Sequence, residues 1–407
     1  MKKVLIVSLY FHPEQFRIND IALELKKQGY KVKVVTGIPN YPVGKIYAGY
    51  GIFKKRKENW QGIEIKRLFI IPRGKRKFML FFNYISFVLS GYFWALTEKE
   101  KYDTILVYAV SPIFQALPAI SYAKRRKVPC YLYLQDLWPE SLVVAANIKN
   151  KFIISIVNKI VNYIHEKSTK ILVTSKSMLE TLMQRNVPKD KLIYLPQYAE
   201  EFYKPLEKKP IPEIDIDKFN ITYTGNVGYV QGLDILPQSA KILKDNNITK
   251  VTFNIVGDGR YRQQLIQLTK SYNVQDMFNF VDLVPAMRIP EILAASDVAL
   301  LSYKPDELLS KYIPAKLQTY MACGKPILAI ADGETKRIIE ESQCGICVSP
   351  GKPEELAQAV LKLIDMGQEQ VKNLGQNARK YYEEHFEKEK IIRKLKQILF
   401  SETEEAN

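Results

Sequence analysis

The feature that most constrains this chain is an alternation that runs for about 200 residues, stops, and starts again. Short apolar runs of strand length are each followed by apolar side chains at helical spacing. Val4-Leu5-Ile6-Val7 is the first run, and Ile18, Ile21, Ala22 and Leu25 follow at i, i+3, i+4 and i+7. Gly29 stands where that helix should stop, and Val32, Val34 and Val35 open the next strand. Further strands are predicted over 63–71, 104–110, 131–134 and 171–174, with helices from Pro112 and over 152–164. Ser177 and Glu180 have the spacing of a capping box for one more helix. Pro205, Pro210 and Pro212, set among lysines and acidic residues, then interrupt the pattern as a linker would. It restarts with strands predicted over 220–223, 251–256, 298–302 and 326–330, a helix over 234–245, and a helical tail from about 353 to 399.

Strands that alternate with helices form parallel sheets covered on both faces. The expected fold is therefore α/β, with two tandem doubly wound domains and a ligand site at the carboxyl ends of their strands, in the cleft between them. The predicted divisions are 1–200, a linker over 201–218, a second domain over 219–380, and a final segment over 381–407.

The net charge of +17 is unevenly spread. Residues 1–200 carry +19 and residues 201–407 carry −2, so an anionic partner is expected for the first half alone. Phe78 to Leu96 is a 19-residue apolar and aromatic stretch flanked by Arg73, Lys75, Arg76 and Lys77, with Lys54-Lys55-Arg56-Lys57 nearby. Its length suits a membrane span, but it lies between two strands of one sheet, which spanning would place on opposite sides. A buried core helix and an interfacial helix remain, and the basic flanks favour contact with an anionic membrane surface. No nucleic-acid-binding motif accompanies the basic clusters, so no nucleic-acid partner is expected.

Cys344 and Cys347 have CxxC spacing without a second pair or a histidine cluster, so buried thiols are expected and no metal site. Val4 begins a strand almost at the start of the chain, and with few cysteines the expected compartment is the cytoplasm.

Several segments at predicted strand ends carry polar groups. Gly225-Asn226-Val227-Gly228 precedes a helix, a place where backbone amides can approach a phosphate, although the spacing is not GxGxxG. Val256-Gly257-Asp258-Gly259 is a second such turn, followed by Arg262. A loop ending at Pro314 opens a helix with Lys316 in its first turn, followed by Gln318 and Thr319, and free amides with an ammonium suit a diphosphate. In the first half, Tyr10 to Asp20 includes His12, Glu14, Arg17 and Asn19, and Gln135 to Glu140 includes Asp136.

Together, Tyr10–Asp20, Gln135–Glu140, Gly225–Gly232, Val256–Gly259 and Pro314–Pro326 resemble family 4 of the glycosyltransferases, retaining enzymes of the GT-B fold. The resemblance covers essentially the whole chain. It extends to enzymes of O-antigen and capsule assembly, including the acetamido-deoxysugar (L-fucosamine-type) transferases. It implies a UDP-sugar donor on the second domain, held at Gly225, Asn226, Gly228, Asp258, Arg262, Lys316, Gln318 and Thr319. It implies a lipid-linked sugar acceptor on the first domain near His12, Arg17 and Asn19, with Asp136 or Glu14 assisting. It also implies no metal or other cofactor, a peripheral location at the inner membrane face, and a final helix crossing back onto the first domain. Asp215-Ile216-Asp217 imitates the metal-binding DxD of the other transferase fold, but it falls in the linker.

The chain departs from the family pattern at four places. Asn226 and Gln231 stand where Arg and Lys usually clamp the diphosphate, and Lys311 and Thr319 stand where two glutamates are usual. A nucleotide-sugar 2-epimerase of the same architecture, or a non-catalytic UDP-sugar binder, are the alternatives to a transferase.

Overall fold

The computed structural model describes residues 1–74, 77–142 and 150–400, so Lys75 and Arg76 of the basic flank lie outside the described residues. The chain forms two compact units: Met1–Leu195 together with the chain from Ile392 onward, and Pro196–Ile391.

The first unit contains β1 (Lys3–Val7), α1 (Arg17–Lys27), β2 (Lys31–Gly37), β3 (Lys57–Trp60), β4 (Ile63–Leu68), α2 (Lys77–Thr97) and β5 (Thr104–Ala109). It continues with α3 (Ala116–Arg126), β6 (Cys130–Leu134), α4 (Lys151–Lys167), β7 (Lys170–Val173), α5 (Lys176–Gln184) and β8 (Leu192–Tyr194). The strands run in the order β3-β4-β2-β1-β5-β6-β7-β8. Every residue of β5 and β6 is buried, as strands covered on both faces require. β1 pairs in parallel with β2 on one side and β5 on the other, so the order reverses there. The carboxyl ends of β1 and β5 are the unit's topological switch point.

Two sequence expectations change. The charged run Lys57-Glu58-Asn59-Trp60 forms an edge strand, antiparallel to β4. The cap of α5 is Ser175, whose side chain accepts from the Met178 N–H at 3.1 Å, so Ser177 already lies inside the helix.

The second unit contains β9 (Phe219–Thr224), α6 (Ile235–Asp245), β10 (Val251–Val256), α7 (Arg262–Ser271), β11 (Phe278–Val281), α8 (Ile289–Ala295) and β12 (Val298–Ser302). Then follow α9 (Ala315–Ala322), β13 (Ile327–Ile330), α10 (Gly333–Ser342), β14 (Gly345–Val348), α11 (Pro353–Asp365) and α12 (Gly367–His385). Its sheet is parallel throughout, in the order β11-β10-β9-β12-β13-β14, and reverses between β9 and β12. Side-chain alternation divides the core. Val298, Leu300, Leu328 and Ile330 pack on one face, and Ala299, Leu301, Ile327 and Ala329 on the other. Each fully buried Leu or Ile contributes about 2 kcal/mol.

The last helix, α13 (Lys388–Phe400), enters the first unit at Ile392. There Phe400 stacks on Tyr30 at 4.5 Å, and Lys394 donates to the Tyr194 carbonyl at 2.9 Å.

α2 is two-faced. Asn83, Ser86, Phe87, Trp94 and Ala95 are buried, whereas Phe78, Phe81, Phe82, Ile85, Leu89, Phe93 and Leu96 are exposed. Among the described residues it is the one helix long and apolar enough to cross a membrane.

Near the amino ends of β1, β2 and β5, Glu100 accepts from Lys3 at 3.1 Å, Lys33 at 3.1 Å and Tyr102 at 3.0 Å. Burial raises its pKa, but these hydrogen bonds outweigh burial and hold it down to about 2. A carboxylate depressed in this way stabilises the fold above the ordinary range near 4.5 and loses that contribution as the pH falls towards 2. Glu100→Gln is expected to lower the thermal midpoint at pH 7 by about 2–4 °C. The gap between variant and parent should close as scans are repeated from pH 5 down to pH 2.

Candidate functional site

At the switch point of the second sheet, two turns meet backbone to backbone. Gly225 follows β9 and Gly257 follows β10, and both adopt positive φ, 120° and 135°. A Cβ on Gly257 would lie 2.2 Å from the Gly225 carbonyl oxygen, and one on Gly259 would lie 2.2 Å from that of Val227. Glycine at these positions is thus a condition of the packing.

Lys316, in the first turn of α9, folds against this pair of turns. Its Nζ donates to the Tyr223 hydroxyl and lies 3.7 Å over the Tyr223 ring. Its Cε fills the space where a Gly225 Cβ would sit, at 2.9 Å. Burial holds its ammonium down to about 7. Tyr223 in turn donates to the Asn226 carbonyl at 2.6 Å, so strand end, turn and lysine form one assembly.

The expectation that the turn's amides face a phosphate needs correction. Gly225 N–H donates to Val256 O at 2.8 Å, Val227 N–H to Asp258 O at 2.9 Å, and Gly228 N–H to Gln231 Oε1 at 3.0 Å. Gln231 Oε1 also accepts from Asn226 Nδ2 at 3.4 Å, so the two residues standing in the cation positions latch the turn. The positive charge at this turn comes from Lys316. The first helical amides of α9 lie beside it, ahead of the first bond in the helix, Leu317 N–H to Pro314 O at 3.0 Å.

The other predicted groups lie variously placed. Asn226 and Asp258 are exposed at the turns, and Asp258 Oδ1 accepts from the Gly259 N–H at 2.7 Å. Arg262 pairs with Asp282 at 2.8 Å and lies over Phe280, so its charge is engaged at the β11 edge. Gln318 is buried on another side of α9 and donates to Gln197 O at 2.7 Å, a structural position rather than one beside Lys316. The Thr319 hydroxyl donates to its own helix at Ala315 O. A residue missed in the sequence is Lys304, which lies 3.4 Å over the Tyr229 ring and 3.5 Å from Asp234.

In the first unit, the loops after β1 and β5 meet where Leu9 N–H donates to Gln115 Oε1 at 2.7 Å. Asp136, after β6, accepts through Oδ2 from the Ser111 N–H and hydroxyl, both at 2.8 Å. No group among the described residues donates to its Oδ1.

Glu14 proves to be a latch. It is 2% exposed, and its oxygens accept from the N–H groups of Asn40, Tyr41 and Phe11 at 2.8, 2.7 and 3.4 Å. Burial pushes its pKa up to about 7 against those hydrogen bonds. The enclosure takes it out of reach of a substrate, which corrects its candidacy as a catalytic group. Asn19 also serves this loop, donating to Glu14 O at 2.7 Å and accepting from the His12 N–H at 3.1 Å. The His12 ring stacks on Trp60 at 4.5 Å. Arg17 opens α1 within electrostatic reach of Tyr133.

Cys344 and Cys347 are free, and burial raises both thiols, to about 11 and about 12. Among the described residues, no three or more His, Cys, Asp or Glu side chains gather as metal ligands would.

Residues 16–197 match the profile of the family described as Glycosyltransferase Family 4, and residues 206–381 match Glycosyl transferases group 1. A colanic acid biosynthesis glycosyl transferase of Escherichia coli (strain K12) is 21% identical over 97% of this chain and 98% of its own length. The fold is similar to that of sucrose-phosphate synthase from Thermosynechococcus elongatus, with TM-score 0.73 and 18% identity over the whole of both chains. It is also similar to Anabaena HepE solved with UDP, with TM-score 0.71 and 16% identity over 98% of this chain and 100% of that one.

If the cradle depends on the contact between its two turns, Gly257→Ala should cost about 3 kcal/mol or more of unfolding free energy in a denaturant titration. Ala substituted for the exposed Gly351, which has φ 79° but no atom within 4 Å of its added Cβ, should cost about 1 kcal/mol.

Proposed function

We propose, starting from a chain that is a glycosyltransferase of the GT-B fold with a family 4 first half and a group 1 second half, that it transfers a sugar from a UDP-sugar to a polyprenyl-diphosphate-linked acceptor during surface polysaccharide synthesis. The observation that carries the donor half of this proposal is the buried Lys316 ammonium at the junction of the Gly225 and Gly257 turns. The relatives support it: HepE was solved with UDP and with UDP-glucose, and the similar Escherichia coli protein is named for colanic acid synthesis. An acetamido-deoxysugar is the donor sugar proposed, on the resemblance of the chain to transferases of that type, which share its Gly225-Asn226 turn.

In the proposed reaction, the acceptor hydroxyl oxygen bonds to the anomeric carbon from the face that UDP leaves, so configuration is retained. The bond from that carbon to the diphosphate oxygen breaks, and its electron pair stays on UDP. Lys316 stabilises this growing charge. The acceptor proton passes to the departing phosphate oxygen, and Asp136, held by Ser111, orients the acceptor. No divalent metal is needed in this scheme.

The acceptor's lipid places the reaction at the inner face of the cell membrane. The exposed aromatic stripe of α2 supports this, together with the +19 charge of residues 1–200. The test is UDP release from a panel of UDP-sugars, with and without detergent-dispersed polyprenyl-diphosphate sugar, in EDTA. Release that requires the lipid acceptor supports the proposal. UDP-sugar binding without release from any pair would favour the non-catalytic binder.

Lys316→Ala should weaken UDP binding roughly 10- to 100-fold, the range of a charge-assisted hydrogen bond, in calorimetry. The lysine is charged below its pKa of about 7 and neutral above it. UDP affinity should therefore fall up to about tenfold per unit as the pH rises from 7 to 9, and Lys316→Met should abolish that slope. On α2, Phe81→Ser with Phe93→Ser should reduce sedimentation with anionic vesicles about tenfold or more, since each change removes about 2 kcal/mol of apolar burial in lipid.

A further inference from the structure

The first unit has an arginine that neither the motifs nor the assigned site residues include. Arg73 lies in the segment joining β4 to α2. Its position is fixed, because its N–H donates to Asn40 Oδ1 at 3.0 Å and the next N–H, of Gly74, donates to Gly44 O at 3.1 Å. Gly44 and Gly74 are packed so closely that a Cβ on Gly44 would lie 2.6 Å from the Gly74 carbonyl oxygen. The guanidinium lies 4.9 Å over the Tyr41 ring, and no carboxylate pairs with it among the described residues.

Tyrosines surround it. Tyr10 packs between Phe16 at 5.1 Å and Tyr41 at 5.2 Å. Its hydroxyl is buried within a side chain only 3% exposed, and it has no hydrogen-bond partner among the described residues. That hydroxyl is as enclosed as the Glu14 carboxylate, so Tyr10 supports the Tyr41 ring rather than meeting a ligand. Tyr84 stands on α2 between the exposed Phe81 and Ile85. Arg73 is within electrostatic reach of both Tyr10 and Tyr84, and Asp136 is within reach of Tyr84. A guanidinium seated on the Tyr41 ring with no carboxylate partner among the described residues is an anion site, and the planar fork of arginine suits phosphate oxygens.

What lies next to it identifies the anion. Polar side chains of α2 hold it along this same segment, with Asn83 Nδ2 donating to Ile71 O at 2.6 Å, Ile71 N–H to Ser86 Oγ at 2.9 Å, and Ser90 Oγ to Phe69 O at 2.7 Å. The other face of α2 begins its exposed apolar stripe at Phe78, five residues after Arg73. α4 adds exposed Phe152, Ile153, Ile156 and Tyr163, and Tyr163 is within electrostatic reach of Tyr92 on α2.

We propose that Arg73, with Tyr84 beside it, binds the diphosphate of a lipid-linked acceptor, whose hydrocarbon chain lies along the apolar faces of α2 and α4. This rests on the proposed function for its occupant, but the site is testable without turnover. Arg73 is thus a binding residue for the acceptor, and Asp136 is within electrostatic reach of Tyr84 in the same unit.

The test is calorimetric binding of farnesyl diphosphate, farnesol and inorganic pyrophosphate to the full chain, in the absence of donor. Farnesyl diphosphate should bind at least tenfold more tightly than either fragment. Arg73→Gln should weaken it about tenfold or more, and Tyr84→Phe by several-fold, while UDP affinity and the thermal midpoint stay at the parent values. Arg73→Lys, which keeps the charge but loses the fork, should fall between. Parent-like affinity of Arg73→Gln for farnesyl diphosphate would overturn the proposal. Pyrophosphate binding as tightly as farnesyl diphosphate, with the same dependence on Arg73, would overturn the lipid assignment in favour of a free phosphate. If Arg73-dependent farnesyl diphosphate binding is found but no UDP-sugar is turned over with any lipid acceptor, the proposed reaction fails and the site stands.

Discussion

The second unit is organised around a lysine ammonium that has been taken out of water. Lys316 lies over the Tyr223 ring and donates to its hydroxyl, at the place where two glycine turns touch through their backbones. Burying a cation without a carboxylate is unfavourable, and its depressed pKa records that cost. The arrangement persists because strands, turns and helix are each fixed by other means. The turn amides bond to neighbouring backbone, Gln231 ties Gly228 to Asn226, and apolar side chains on both faces of the sheet supply the stability. A charge held ready in this way needs little rearrangement when an anion arrives.

The first unit solves the corresponding problem differently. Its switch point is lined by a latch, since the enclosed carboxylate of Glu14 ties the loop after β1 to Asn40 and Tyr41 after β2. That latch sets the position of Tyr41, and Tyr41 carries Arg73 on its ring. Asp136 is held by Ser111 through one oxygen. The unit therefore presents an arginine, a carboxylate and an apolar helix face as separate features on one scaffold, which is a suitable distribution for an amphiphile.

Much of this was legible in the chain itself. Period-two and period-3.6 apolar patterns located most strands and helices, and the proline-rich stretch marked the change between units, although Pro196–Glu200 and residues 381–391 belong with the second unit. Lys316 could be singled out because its neighbours Pro314 and Gly324 frame a short helix. The rest depended on contacts between distant residues. β3 is charged because it is an edge strand with one neighbour, and no apolar period announces it. Glu14 reads as an exposed acid until the loops of β1 and β2 close over it. The amides at 225, 227 and 228 look available until β10 and Gln231 supply their partners. Arg73 showed in the sequence only as one of the basic residues flanking α2, because its particular setting comes from Tyr41 and Tyr84 on other segments.

The claim on which the donor chemistry stands is that Lys316 exchanges a tyrosine for a phosphate. A crystal structure of the protein with UDP addresses it directly. The expected result is Lys316 Nζ turned away from the Tyr223 hydroxyl and within hydrogen-bond distance of a β-phosphate oxygen, with the Gly225 and Gly257 turns unmoved. A diphosphate held by other side chains, with Lys316 still on Tyr223, would contradict it.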